Sequence, residues 1–113
     1  PLGLQGQVEG GLIMGIGHAL TEEFIVEEGQ IFTDYLSRYR MPSIKHLPEE
    51  IKVIIVEDPT AEGPYGGKGV GEISTMPVPP AIINAIYNAC GVRLKTIPVD
   101  QDWLARQLKG KEI

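Results

Sequence analysis

The stretch IKVIIVEDPTAEGPYGGKGVGEISTMPVPPAIINAIYNACG, residues 51–91, carries the clearest signals for the fold. Residues 51–56 are β-branched and apolar at most positions, which predicts a strand that is covered on both faces. Residues 79–90 begin with two prolines and end before Gly91, which predicts a helix. We expect its inward face to consist of Ile82, Ile83, Ile86 and Ala89. The loop between strand and helix is longer than usual, and such loops are more often functional than incidental.

Upstream of this stretch, residues 5–27 read as a helix because apolar side chains recur at near-helical spacing. Glycines crowd its first half, although each glycine inside a helix costs about 0.5–1 kcal/mol relative to alanine. Gly6 and Gly10, like Gly11 and Gly15, are four residues apart and form smooth stripes along the helix. Tight packing against a neighbouring element and close approach of a ligand are equal alternatives for these stripes.

The remaining segments predict a short strand over residues 30–33 and a final helix from Asp100, as N-cap, to Gly110. Trp103, Leu104 and Leu108 of that helix are placed for docking. Strands and helices alternate, so the sequence predicts an α+β or α/β fold in a single domain over residues 1–113.

Composition excludes several classes of protein. The 113 residues carry a net charge of −5 with acidic and basic residues mixed, which argues against a nucleic-acid surface. No run of eighteen apolar residues exists, so we expect no membrane span. A single cysteine, Cys90, rules out an internal disulfide framework and predicts a reducing, cytoplasmic setting. Because the chain opens at Pro1 without an initiator Met, we expect it to be a piece of a longer polypeptide.

The most unusual stretch is the glycine-rich loop over residues 63–72. Its glycines free the backbone and expose N–H groups that suit anionic or carbonyl oxygens. It is not a phosphate-binding P-loop. That motif would need glycine at position 62 and Ser or Thr at position 69, where this chain has Glu62 and Gly69. It also lacks the G-x-G-x-x-G spacing of dinucleotide-binding folds. Glu72 at its end is either a general base held by a tight backbone or, more commonly for such a residue, a solvated glutamate.

Other candidate residues carry weaker signals. Lys68 is an anion ligand or, by default, a solvated side chain. His18 is expected to be a packed helix residue, and Glu22-Glu23 to be a solvated helix end. Cys90 is expected to be a small core residue, since it has no partner at metal-ligand or nucleophile spacing.

Five elements in order resemble the C-terminal part of the molybdenum-binding subunit of the xanthine dehydrogenase / aldehyde oxidoreductase family. That family has a G-Q-[VI]-E-G opening, a Tyr-x-[IM]-Pro element, a strand, a K-[AG]-[VI]-G-E loop and an A-x-x-N-A-[IV]-x-[ND]-A helix. The matching stretches in this sequence are residues 6–10, 39–42, 51–56, 68–72 and 81–89. The resemblance covers nearly the whole chain.

This resemblance implies a site and a cofactor. Glu72 is similar to the family's general base, which deprotonates the molybdenum-bound hydroxide so that its oxygen attacks an electron-poor carbon. Gln7 is similar to the glutamine beside an oxygen ligand of molybdenum, and Gly69, Val70 and Gly71 resemble the backbone lying against the pterin. The implied cofactor is molybdopterin or its cytosine dinucleotide, and no direct protein ligand to the metal is expected in this chain.

The resemblance also implies partners and a fold. The chain would be the last α/β repeat of an α+β molybdenum cofactor-binding domain, with helices packed on a small mixed sheet. Its partners would be the rest of that subunit, iron–sulfur and flavin (FAD) domains or subunits, and a small-molecule substrate such as an aldehyde, purine or N-heterocycle. We expect the chain alone to be inactive. The rival interpretation is a non-catalytic interaction domain whose glycine-rich surfaces only bind a partner protein.

Overall fold

The computed structural model describes residues 2–109, which form three helices and one small hairpin. In chain order these are α1 (Leu2–Leu20), β1 (Val26–Glu27), β2 (Gln30–Ile31), α2 (Val78–Cys90) and α3 (Gln101–Leu108), with short helical turns at Ile44–His46 and Pro64–Gly66.

The predicted N-terminal helix is present, but it ends at Leu20 and not at residue 27. The amides of Thr21 and Glu22 both donate to the carbonyl of Gly17, which closes the last turn and redirects the chain. The residues that follow form a hairpin, in which Val26 pairs with Ile31. Both of its turn residues have positive φ, as the tight turns of hairpins require (Glu28 at 49° and Gly29 at 80°).

Helix α2 begins and ends close to where the sequence predicted. Gly91 adopts a left-handed conformation at φ 67°, and its N–H donates to the carbonyl of Tyr87 to cap the helix. Three of the four expected inward residues, Ile82, Ile83 and Ile86, are half-buried. Ala89 is exposed, so its assignment to the inward face was wrong.

Helix α1 packs against the segment that leads into α2. A Cβ atom on Gly15 would lie 2.9 Å from Cγ1 of Val78 and 3.0 Å from the carbonyl oxygen of Thr75. Gly11 and Gly15 are both buried, whereas Gly6 and Gly10 have no other atom within 4 Å of a Cβ position. One glycine stripe therefore serves internal packing and the other is open.

The buried core is small and lies where residues 92–99 pass the C-terminal end of α1. Its hydrophobic members are Ala19, Val92, Leu94 and Val99. The amide of Val99 donates to the carbonyl of Ala19 at 2.8 Å, which ties the two segments together. Helix α3 follows directly, and the Asp100 carboxylate accepts from the amide of Trp103 at 2.8 Å, as expected for an N-cap. The predicted endpoint, Gly110, lies outside the described residues.

The α+β class is confirmed, but two details of the expected sheet were wrong. The sheet within residues 2–109 is a two-stranded antiparallel hairpin, and α1 packs on α2 and not on a mixed sheet. Residues 51–56, the strongest predicted strand, form no regular element. A strand needs a neighbour to pair its backbone groups, and no described segment forms a ladder with this one.

The described residues are spread more widely than a compact domain of this length. The radius of gyration is 17.6 Å, whereas a compact domain of this size has about 13 Å. Many large apolar side chains are exposed in consequence, among them Leu36, Ile44, Ile54, Val56 and Tyr65. Within residues 2–109, no helix has the length and apolar character needed to cross a membrane.

Candidate active site

The first half of the glycine-rich loop is a tight turn held by its own backbone. Tyr65 and Gly66 both have positive φ, at 56° and 76°. The amide of Thr60 donates to the carbonyl of Gly66, and the amide of Gly63 donates to the hydroxyl of Thr60 at 3.1 Å. This turn fixes the direction in which the chain enters residues 67–72.

The second half of the loop presents bare main chain. A Cβ atom at Gly69 or Gly71 would meet no other atom within 4 Å, and Val70 between them is half-buried. Glu72 follows directly and its side chain is exposed. The amide of Thr75 donates to the carbonyl of Glu72 at 3.0 Å, so a turn anchors the backbone of Glu72 just before α2. The result is an uncovered peptide surface beside an accessible carboxylate.

A contact between α1 and the turn after Glu72 brings Gln7 to the same region. The hydroxyl of Ser74 donates to the main-chain carbonyl of Gln7 at 3.4 Å. One helical turn further along, Gly11 lies directly beneath Ser74 and Thr75, with no room for a Cβ atom. The Gln7 side chain itself is exposed. The structure therefore joins the segment of Gln7 to the segment of Glu72, although 65 positions separate them in the sequence.

An open groove of about 420 Å³ runs along the loop. Its walls come from Leu4 of α1, from residues 55–59 and from residues 65–70 with Ile73. Gly69 and Val70 are among its lining residues, so the bare main chain borders a space that can admit another group. Leu4, Ile55, Val56 and Ile73 give most of the groove an apolar lining.

By default, Lys68 was expected to be a solvated side chain without a partner, but the structure pairs it with a carboxylate. Its ammonium lies 2.5 Å from a carboxylate oxygen of Asp58, across the groove. Both side chains are substantially exposed, so the pair adds little to stability, on the order of 0–1 kcal/mol. Its effect is to link the end of residues 51–58 to the middle of the glycine-rich loop.

A second polar cluster lies at the opposite end of α1, and sequence reasoning did not identify it. The Glu22 side chain is 11% exposed and accepts a hydrogen bond from the Tyr39 hydroxyl at 3.1 Å. His18, expected to be packed, is exposed and lies 3.6 Å from the same carboxylate. Burial, the hydrogen bond to Glu22 and the charge of Glu22 raise the pKa of Tyr39 above its usual value of 10.0. The sequence analysis did not foresee that the chain folds back so that Tyr39 contacts Glu22, just beyond the end of α1.

The other candidates are explained by local structure. Cys90 is half-buried, and its thiol donates to the carbonyl of Ile86 one helical turn earlier. Within residues 2–109, no three His, Cys, Asp or Glu side chains are grouped so that they could hold a metal ion.

Comparison with known proteins gives matches over nearly the whole chain. Residues 1–48 match the family model of the molybdopterin cofactor-binding domain. The chain is 36% identical over 111 residues to a probable xanthine dehydrogenase subunit of Bacillus subtilis, covering 98% of this chain and 15% of that protein. It is 37% identical over 109 residues to the aldehyde oxidoreductase of Megalodesulfovibrio gigas, covering 96% of this chain and 12% of that protein.

Two further comparisons agree. The putative xanthine dehydrogenase molybdenum-binding subunit XdhA of Escherichia coli is 41% identical over 101 residues, covering 88% of this chain and 13% of that protein. The crystal structure of quinoline 2-oxidoreductase from Pseudomonas putida superimposes with a TM-score of 0.86 at 29% identity, covering 99% of this chain and 15% of that chain. The chain thus spans at most 15% of the length of these relatives.

Proposed function

The chain belongs to the family of molybdenum-binding subunits of xanthine dehydrogenases and aldehyde oxidoreductases, and on this premise we propose that it contributes the general base, Glu72, to such an enzyme. The complete enzyme would hydroxylate an electron-poor carbon of an aldehyde, purine or N-heterocycle with oxygen derived from water. In that enzyme this chain would form the last α/β repeat of the cofactor-binding domain.

The observation that carries the proposal is the presentation of Glu72. Its side chain is exposed at the end of a glycine-rich turn, and its main-chain carbonyl is held by the amide of Thr75. Ser74, two residues after Glu72, anchors this turn by donating a hydrogen bond to the main-chain carbonyl of Gln7. A base must be accessible to the proton it removes and fixed in direction, and this arrangement supports both requirements.

The described residues fit a molybdenum–pterin group. Gly69 and Gly71 leave the main chain on both sides of Val70 uncovered, so a flat, oxygen-rich ligand can approach the peptide N–H groups closely. The exposed amide of Gln7 can donate to an oxygen of such a group without adding charge. We assign Gln7, Gly69, Val70 and Gly71 to cofactor binding and expect no direct metal ligand from this chain.

The bound cofactor would supply two-electron redox chemistry and a water-derived oxygen acidified by the metal. Glu72 would take the proton from the attacking oxygen, and its exposure at the end of the loop leaves room for a substrate beside it. Gln7 would orient the oxygen by donating a hydrogen bond, and the bare peptide surface at residues 69–71 would exclude water from one side of the ligand.

Further parts of the enzyme are needed for activity under this proposal. The rest of the molybdenum-binding subunit would supply the remaining cofactor contacts, and iron–sulfur and FAD domains or subunits would carry the electrons away. The 113-residue chain by itself should neither retain cofactor nor turn over substrate. Tight molybdopterin binding by the isolated chain would contradict this expectation.

The test is the substitution Glu72→Gln in the complete enzyme, with Glu62→Gln as the matched control. Both are exposed glutamates near the same loop, and both changes remove one charge. Loss of a general base lowers the turnover rate by about 10²–10⁴-fold, so Glu72→Gln should show this loss and Glu62→Gln should not. Equal and near-normal rates in both variants would favour the rival function, a non-catalytic domain that binds a partner protein.

A further inference from the structure

Residues 51–56 have the sequence of a strand but make none of the contacts of one. Ile51 and Val53 are half-buried, whereas Ile54 and Val56 are 74% and 82% exposed. Half-buried and exposed positions alternate over residues 51–54, as they do along a strand with one face against a protein surface. Two large β-branched side chains, Ile54 and Val56, are left largely in water, and Ile55 between them is 45% exposed.

The backbone of this segment is equally unpartnered. No N–H or carbonyl group of residues 51–56 takes part in a hydrogen bond with any other residue in the described part of the chain. Apolar β-branched side chains with free backbone groups on both edges form the surface to which another strand adds. The segment therefore has both requirements for strand addition, namely free hydrogen-bonding groups and side chains that gain from burial.

We propose that residues 51–56 are an interaction strand, which pairs with an apolar strand from the part of the molybdenum-binding subunit outside this chain. The inference rests on the proposed function, since that supplies the larger polypeptide. The chain covers at most 15% of the length of its relatives, so ample polypeptide is available to contribute the strand.

Charge selects the partner and disfavours a second copy of this chain. Glu49 and Glu50 precede the interaction strand, and Glu57 and Asp58 follow it. Of these four, only Asp58 forms an ion pair with a described residue, Lys68. Two copies paired in either direction would place carboxylates opposite carboxylates at both ends, which is unfavourable. The complementary partner is an apolar strand flanked by Lys or Arg.

Pairing of the interaction strand would also shape the candidate active site. Ile55 and Val56 form one wall of the groove whose other residues include Gly69 and Val70. Asp58, just beyond the strand, holds Lys68 of the glycine-rich loop. A strand fixed from outside therefore fixes one wall of the groove and one anchor of the loop that leads to Glu72.

The experiment is amide hydrogen exchange in the complete molybdenum-binding subunit. We expect the amides of residues 53–56 to exchange at least about 10²-fold more slowly than those of residues 61–62, which make no backbone hydrogen bond to any described residue. The double substitution Glu49→Lys/Glu50→Lys should reduce that protection about tenfold because it repels a basic partner. Glu27→Lys/Glu28→Lys, on the distant hairpin, is the matched control and should leave it unchanged.

Three results would overturn the inference. The first is exchange at residues 53–56 as fast as at residues 61–62. The second is protection that survives the charge reversal at Glu49 and Glu50. The third is that the isolated 113-residue chain protects residues 53–56 when its measured mass is that of a dimer, and does not protect them when it is a monomer. That result would assign the pairing strand to a second copy of this chain. Hydrogen exchange does not depend on turnover, so the two proposals can fail separately. If residues 53–56 are protected but Glu72→Gln retains full activity, the general base is ruled out and the interaction strand is still supported.

Discussion

Gly11 of α1 lies so close to Ser74 that a Cβ atom at Gly11 would overlap the Ser74 hydroxyl oxygen. The same Cβ would lie 3.0 Å from the Ser74 Cβ and 3.2 Å from the Thr75 hydroxyl oxygen. Rotation of the Ser74 hydroxyl would relieve the overlap with its oxygen but would break its hydrogen bond to the Gln7 carbonyl. The contacts with the Ser74 Cβ and the Thr75 hydroxyl would remain, so one element has to shift slightly as well. This contact fixes the distance between α1, which carries Gln7, and the turn that carries Glu72.

Gly11→Ala should therefore destabilise the 113-residue chain. Overpacking a tight contact costs about 1–3 kcal/mol of unfolding free energy, which exceeds the helix-propensity gain of alanine. Gly10→Ala is the control, because nothing lies within 4 Å of its Cβ position and the propensity gain of up to about 1 kcal/mol is realised. Urea denaturation of both variants measures the difference. Equal effects of the two substitutions would show that Gly11 does not limit the approach of Ser74.

Tyr39 should make stability fall at high pH. The folded protein raises the pKa of Tyr39 above 10.0, so the neutral phenol is favoured by folding. The resulting stabilisation is complete below pH 10.0, the unfolded value, and is lost as the pH rises through the folded pKa. Tyr39→Phe should remove this pH dependence and cost about 0.5–1.5 kcal/mol near pH 8, where the hydrogen bond to Glu22 is intact.

The measurement is chemical denaturation of Tyr39→Phe at several pH values between about 8 and 11, with Tyr35→Phe as control. Tyr35 is 62% exposed, so its removal should leave the alkaline loss of stability in place. An unchanged pH profile in Tyr39→Phe would mean that another group is responsible.

The N-cap of α3 should contribute measurably to the stability of the C-terminal part of the chain. Asp100→Ala removes the acceptor for the amide of Trp103 and is expected to cost about 0.5–2 kcal/mol. Asp100→Asn keeps an acceptor at the same position and should cost much less. Trp103 reports on the change directly through its fluorescence during unfolding. Identical midpoints for Asp100→Ala and Asp100→Asn would contradict the cap.

Local signals in the sequence located the helices well. Pro79-Pro80 and Gly91 predicted both ends of α2 to within a residue, and Asp100 predicted the start of α3, because caps depend on nearby residues only. The end of α1 was misplaced, since it depends on two amides that turn back to Gly17. The strand predicted at residues 51–56 does not form, because a strand requires a pairing partner and no described segment pairs with these residues.

The candidate site was predicted in part. The glycine-rich loop was recognised from its composition, and Gln7 and Glu72 were chosen from a family resemblance. Their connection through Ser74 could not be predicted, because a contact across 67 positions leaves no trace in local spacing. The burial of Glu22 was missed for the same reason, since its partner Tyr39 lies 17 positions away.

The most direct measurement of the central claim is the rate at which bound substrate reduces the molybdenum centre in a single turnover of the complete enzyme. This rate isolates the step in which Glu72 would remove a proton, independently of electron transfer to other cofactors. With Glu72→Gln and unchanged molybdopterin content, we predict a fall of about 10²-fold or more. A reduction rate within about threefold of that of the unsubstituted enzyme, at equal cofactor content, would contradict the assignment of Glu72 as the base.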